Sequence, residues 1–201
     1  DRSIDMVIAT HSDADHIGGL VDILDKFSVN AVMGSDFNSE SVIYTAFKNI
    51  IEKKNIEVIN PKRGMNINLG EGVYLSVLFP DRDVGSMDPN DASIIMKLAY
   101  GDTSFLLTGD SPKKIEDYLV SIDKENLDID VLKVGHHGSR TSTSELFLGF
   151  TSPDYTVISA SKDNSYGHPH KEVLDLLEKF ETGAITSDQF ISFFQFHQPT
   201  L

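Results

Sequence analysis

Asp5 to Thr10 (DMVIAT) has strand character, and it runs directly into HSDADH and then IGG. No other feature limits this chain so strongly. Two imidazoles and two carboxylates within six residues repel one another or each need a partner. Either a cation holds them or they form a solvated turn. The chain has no cysteine, which removes disulfides, thiolate nucleophiles and cysteine metal sites. Any metal must therefore be held by His, Asp, Glu or backbone oxygen. In a loop, residues 11, 13 and 15 alternate and can face one side, while Asp15 and His16 diverge toward a second centre.

Composition narrows the setting. At 201 residues, with 40% hydrophobic and 24% charged residues, the chain is long enough for one layered domain with a sizeable core. We expect a single domain over 1–201. No apolar run approaches the roughly 18 residues of a membrane span, so this chain is not expected to insert in a membrane. No signal peptide is visible, and the first residue is Asp1 rather than Met, as in a piece of a longer protein. The net charge of −14 gives a polyanionic partner no long-range attraction. A nucleic acid would have to be engaged locally, and Lys133, Arg140, Lys162 and Lys171 are the positive groups near the motifs.

Periodicity predicts alternating elements. Ile17, Leu20, Val21, Leu24 and Phe27 recur at helical spacing, predicting a helix that starts at the GG pair. Val29 to Met33 reads as a strand, and Ile43, Ala46, Phe47, Ile50 and Ile51 as the stripe of a second helix. Val73–Phe79, Ser93–Tyr100 and Thr103–Thr108 read as strands, with Gly101-Asp102 as a hairpin turn. Pro112 opens a helix carrying Ile115, Tyr118, Leu119 and Ile122. Strands at 129–134 and 155–159 follow, then a helix through Val173, Leu176, Leu177 and Phe180, and a closing strand over Ile191–Phe196. The mixture predicts an α/β fold of sheets covered by helices.

Polar clusters sit just after the predicted strands. They are His11-Ser-Asp13-Ala-Asp15-His16, Gly109-Asp110, His136-His137-Gly138-Ser139 and His168-Pro-His170. Six of the seven histidines fall in three of them, at the strand ends where α/β proteins place chemistry. Taken singly, each has a bland reading: a helix N-cap, a strand-to-helix turn, a surface pair, a packed loop histidine. Taken together they read as a metal site. Asp110, a short acid after a strand and a glycine, suits a bridge between two metals, a known device for phosphodiester hydrolysis. His170 reads as a helix-start residue and His197 as structural.

These residues, in this order, resemble the metallo-β-lactamase superfamily. THSDADHIGG is similar to its HxHxDH signature, and LLTGD to the strand bearing its bridging aspartate. KVGHHGS and SYGHPH narrow the likeness to the hydrolase domain of ComEC-type competence proteins and their stand-alone relatives. The resemblance implies a four-layer αββα sandwich with two divalent cations at one edge. His11 and Asp13 would bind the first ion and Asp15 and His16 the second. Asp110 would bridge them, and His168 would join the second. His137, or failing it His136, would protonate a leaving group, while Asp15 orients the attacking hydroxide. Ser139 and Arg140 would hold an anion. The implied function is a metal-dependent phosphodiesterase or nuclease acting on DNA.

This sequence departs from the pattern in three places. Position 13 is Asp where the superfamily most often has His, which hardens the site toward manganese or magnesium while zinc still fits. No histidine lies between His16 and His136, so Asp91 or His136 must complete the first metal. The strands that normally precede the first motif are absent. Two other functions stay open: a hydrolase of a lactone, thioester or small phosphodiester, and a non-catalytic metal-binding or partner module. A stand-alone enzyme of this kind would be cytoplasmic, and a domain of a membrane competence protein would face the cell surface or periplasm. Oligomeric state is not legible.

Overall fold

The computed structural model describes residues 3–35 and 39–187. The chain divides into two compact units, built from the described parts of Asp1–Asn66 with Ser76–Ile95 and of Ile67–Leu75 with Met96–Leu201.

The first unit is built on a parallel three-stranded sheet, β1 (Ser3–Ile8), β2 (Ser28–Met33) and β3 (Glu57–Ile59), in that order. Ile4 pairs with Val29 and Ile8 with Met33. Parallel neighbours need a crossover, and two helices supply it: α1 (Ala14–Lys26) and α2 (Val42–Lys54). Helix α1 buries Ile17 and Leu24, and α2 buries Tyr44, Phe47 and Ile51, spaced along one face. Each such aliphatic or aromatic side chain contributes about 1.5–3 kcal/mol by leaving water. Ser41 caps α2 by accepting from the Tyr44 N–H at 3.1 Å, and Asn55 ends it in the left-handed region.

Helix α1 starts four residues earlier than the expected GG start. Asp13 is its N-cap, and the Asp13 carbonyl accepts the N–H groups of His16 and Ile17, both at 3.0 Å. Gly18 and Gly19 thus lie inside the helix. Each costs about 1 kcal/mol of helix propensity, which burial of Ile17 and Leu24 offsets. Asp15 and His16 are therefore first-turn helical residues, and only His11 to Asp13 form the loop.

The second unit contains most of a seven-stranded sheet in the order β10-β9-β8-β7-β6-β5-β4. The strands are β4 (Asn66–Gly70), β5 (Val73–Phe79), β6 (Ile95–Tyr100), β7 (Thr103–Leu107), β8 (Val131–Lys133), β9 (Tyr155–Ile158) and β10 (Gly183–Thr186). β6 and β7 form the expected hairpin, Tyr100 pairing with Thr103 around Gly101-Asp102. From β7 to β10 the strands run parallel. The crossovers carry α3 (Lys113–Asp123), α4 (Glu145–Thr151) and α5 (Lys171–Lys179). Leu106, Leu132 and Ile158 from the strands and Leu119, Leu148 and Leu177 from the helices form the core.

Further features differ from the sequence reading. Helix α4 has only seven residues, too short for a periodic stripe, although Ser144 caps it through the Phe147 N–H at 3.0 Å. Strand β8 is shorter than the expected 129–134: its register with β9 runs from Val131–Tyr155 to Lys133–Val157, and before it the Ile129 N–H turns to the Thr151 carbonyl. β3, β4 and β10 were not expected, and the strand expected over 191–196 lies outside the described residues, as does His197. Among the described residues, no helix is long and apolar enough to cross a membrane.

Candidate metal centre

In the first unit the site begins where β1 ends. The Ala9 N–H donates to the Met33 carbonyl at 2.8 Å, and the Ile94 N–H donates to the Thr10 carbonyl at 2.9 Å. These bonds fix the backbone on which His11 sits, fully buried. His11 Nδ1 lies 3.0 Å from Thr10 Oγ1, which sets the ring so that Nε2 stands 3.8 Å from Asp13 Oδ2. His16 Nε2 stands 3.9 Å from Asp15 Oδ2, and the His11 and His16 rings are 4.1 Å apart. The Asp13 carboxylate does not cap α1. Separations near 3.8 Å are too long for a hydrogen bond. They match two ligands of one cation, whose atoms stand roughly 3–4 Å apart when each is about 2.1 Å from the ion. Asp91 sits in the turn just before Ile94, and through that residue's bond to Thr10 its turn is tied to the His11 backbone.

In the second unit the clusters follow three adjacent parallel strands. Asp110 follows β7, His136 and His137 follow β8, and His168 follows β9. They therefore gather at the carboxyl ends of the strands, where the open α/β sheet offers a crevice. Asp110 is 2% exposed. Its Oδ2 lies 3.4 Å from His137 Nε2 and 3.8 Å from His136 Nε2, and its Oδ1 lies 3.8 Å from Lys133 Nζ. Lys133 also donates to the Gly109 carbonyl at 3.0 Å.

His137 and His168 are pushed in opposite directions. His137 is raised, first by its hydrogen bond with Asp110, against the opposing effect of burial. Its Nδ1 lies 2.6 Å from the Ser159 carbonyl, which can only accept. Nδ1 thus carries a proton and Nε2 faces the carboxylate. His168 is lowered, first by burial and then by His170, His136 and His137 around it. A histidine whose basicity is raised beside one whose basicity is lowered is a pairing that suits proton donation by the first and metal ligation by the second.

The backbone at these histidines is unusual. His136 and His137 have φ of 46° and 55°, followed by Gly138 at 81°. Each non-glycine residue there costs on the order of 1–2 kcal/mol, so the surroundings must over-determine the turn. The His136 N–H donates to Gly109, the Ser139 N–H to His136, and the His170 N–H to Gly138. Thr141 Oγ1 lies 3.3 Å from His136 Nδ1.

Behind this turn lies Glu116 of α3, completely buried. It accepts the Thr143 N–H at 2.8 Å and the Ser144 N–H at 2.9 Å. A Cβ on Gly135 would meet Glu116 Oε1 at 3.3 Å, so the carboxyl group backs directly onto the histidine turn. Burial pushes Glu116 up from 4.5 to about 7, against the two N–H bonds. The fold thus favours the protonated acid. Stability from this group is full below about pH 4.5 and is lost as pH rises through about 7, by about 3 kcal/mol. Urea unfolding at pH 5 and pH 7.5 checks this: relative to Glu116→Gln, the wild type should lose most of that difference, about 2 kcal/mol, between the two. Equal pH slopes in the two proteins would refute it.

The expected site residues fall into two groups. The first unit brings together His11, Asp13, Asp15 and His16, and the second Asp110, His136, His137 and His168. Ser139 is buried, its Oγ 2.9 Å from Thr141 Oγ1, so it builds the loop. The Arg140 side chain is 63% exposed, 3.9 Å from Glu172. His170 is the expected helix start, the N-cap of α5. It also accepts the Arg140 N–H at 3.1 Å and lies 4.8 Å from the His168 ring. Lys133, expected only as a positive group near the motifs, stands 3.8 Å from Asp110, and Glu116 was not singled out by the sequence reading.

Comparisons with known proteins show the family and the fold. A family model described as the Metallo-beta-lactamase superfamily matches residues 1–162. ComE operon protein 3 of Bacillus subtilis is 33% identical over 196 residues, covering 94% of this chain and 24% of that protein. Recombination protein 2 of Haemophilus influenzae is 30% identical over 212 residues, covering 96% and 23%. The chain spans about a quarter of the length of these curated relatives. Among solved structures, CmlA, a diiron beta-hydroxylase from Streptomyces venezuelae, superposes with a TM-score of 0.60 at 14% identity, covering 92% of this chain and 44% of that one. Zn(2+)-bound PqqB from Methylobacterium extorquens gives 0.56 at 10% identity, covering 91% and 71%. At these identities the likeness is one of fold.

Proposed function

The chain belongs to the metallo-beta-lactamase superfamily, and we propose that it hydrolyses phosphodiester bonds of DNA with two divalent cations. The observation that carries this reading is the spacing of imidazole and carboxylate atoms: 3.8 Å for His11–Asp13 and 3.9 Å for His16–Asp15. His11 and Asp13 would hold one ion, and Asp15, His16 and His168 the other, with Asp110 as the shared carboxylate. Asp91 is the candidate to complete the first set. The donors are oxygen and imidazole throughout, which suits manganese, zinc or magnesium. The ions would polarise the phosphate and ease deprotonation of water.

The protein's own groups do the rest. The exposed Asp15 carboxylate orients the attacking water. His137, anchored at Nδ1 by Ser159, delivers the Nε2 proton to the departing oxygen. Arg140 offers its guanidinium to a phosphate. DNA as substrate is supported by the names of two relatives, Recombination protein 2 and Competence protein ComA of Neisseria gonorrhoeae.

A second reading, hydrolysis of a small lactone, thioester or phosphodiester, is favoured by the net charge of −14, which repels a long polyanion. Cleavage of a labelled single-stranded oligonucleotide with added manganese separates the two. We expect cleavage by the wild type and a loss of at least about a hundredfold in His16→Ala, a missing ligand. Turnover of small esters without oligonucleotide cleavage would establish the second reading.

A further inference from the structure

We propose that Tyr166 is a stacking platform for an unpaired nucleobase beside the scissile phosphate, which rests on the phosphodiesterase reading above. The Tyr166 side chain is 77% exposed. Its ring lies 5.7 Å from that of His168 at an interplanar angle of 22°, and His168 lies 6.4 Å from His137 at 15°. Three nearly parallel rings therefore run outward from the proton donor into solvent. The outermost is an aromatic face that the fold does not cover.

A single exposed tyrosine is ordinary, but this one is held in place. Asn164 Oδ1 accepts the N–H groups of Tyr166 at 3.1 Å and His168 at 2.9 Å. Asn164 Nδ2 donates to the carbonyls of Ser161 and His168, both at 2.6 Å. Gly167, at φ 73°, makes the turn between the two rings. One amide thus ties the loop at four points and holds the backbone from which the ring projects. That order contributes no burial to the fold. It does lower the entropy lost when a flat ligand lands on the ring.

Charge supports the same assignment. A protein of net charge −14 draws little affinity for nucleic acid from long-range electrostatics. Stacking does not depend on net charge and tolerates any base, since every base has a π face. It does need the base to be unpaired, so the platform selects single strands.

The test uses a short oligonucleotide with one cleavable phosphodiester, either intact or abasic at the flanking nucleotide, with manganese. For the wild type, kcat/KM on the intact strand should exceed that on the abasic strand about tenfold, mostly through KM. In Tyr166→Ala the ratio should fall to about one, and in Tyr166→Phe it should stay near the wild-type value. If Tyr166→Ala slows both strands equally and keeps the ratio, the ring only supports His168 and the proposal is overturned. A wild type that shows no base dependence overturns it as well. A wild type that cleaves neither strand overturns the phosphodiesterase reading itself.

Discussion

The Asp110→Asn protein should fold and lose the proposed phosphodiester cleavage by roughly three orders of magnitude, the upper end of the loss when one preorganised electrostatic group is removed. The substitution keeps the shape of the side chain and deletes its charge. At 2% exposure the carboxylate has almost no solvent to share its field, so the charge acts on what surrounds it. Two imidazoles and Lys133 stand within 3.8 Å. Without the charge, the carboxylate proposed to be shared by two cations is gone, and His137 loses the main cause of its raised basicity. Stability should change little, because Lys133 keeps its bond to Gly109 and the amide can still hydrogen-bond. Metal content, thermal unfolding and cleavage measured on one preparation separate these effects. Full activity in a metal-replete Asp110→Asn protein would sink the mechanism.

What the sequence made legible was the chemistry of strand ends. Each cluster follows an apolar run, and the structure puts Asp110, His136, His137 and His168 at one edge because β7, β8 and β9 are parallel neighbours. Hydrophobic periodicity found the elements that bury a full face, such as α2 and β5. It placed the start of α1 too late, because Gly18 and Gly19 look like a helix boundary while the true cap, Asp13, looks like a ligand. It missed α4 because seven residues hold only two turns, and the stripe of Phe147, Leu148 and Thr151 is too short to stand out. Glu116 was invisible for a different reason. In PKKIED it resembles any surface helix acid, and only its contacts with Thr143 and Ser144, 27 and 28 residues away, make it part of the core. Long-range partners of this kind leave no local trace in the chain.

Gly138 shows the same limit with a larger consequence. It reads as one letter of GHHGS, yet its replacement by alanine should cost about 2–4 kcal/mol of stability and slow cleavage about a hundredfold. Two separate penalties add. The residue sits at φ 81°, where a side chain costs roughly 1–2 kcal/mol. Its Cβ would also lie 2.6 Å from Pro169 Cβ and 3.0 Å from Pro169 Cα. Pro169 cannot swing a flexible tip aside, so the backbone must move. That backbone is bonded to the Gly138 carbonyl through the His170 N–H at 2.9 Å, and it carries His168 on its other side. Any shift that relieves the clash therefore displaces a proposed ligand. Gly101→Ala serves as the control: it has φ 58° and open space around its Cβ, so it meets the backbone penalty alone. Unfolding and cleavage measured for both variants isolate the contact with Pro169. If Gly138→Ala loses no more stability and activity than Gly101→Ala, the histidine turn and the His168 segment are not coupled through that contact.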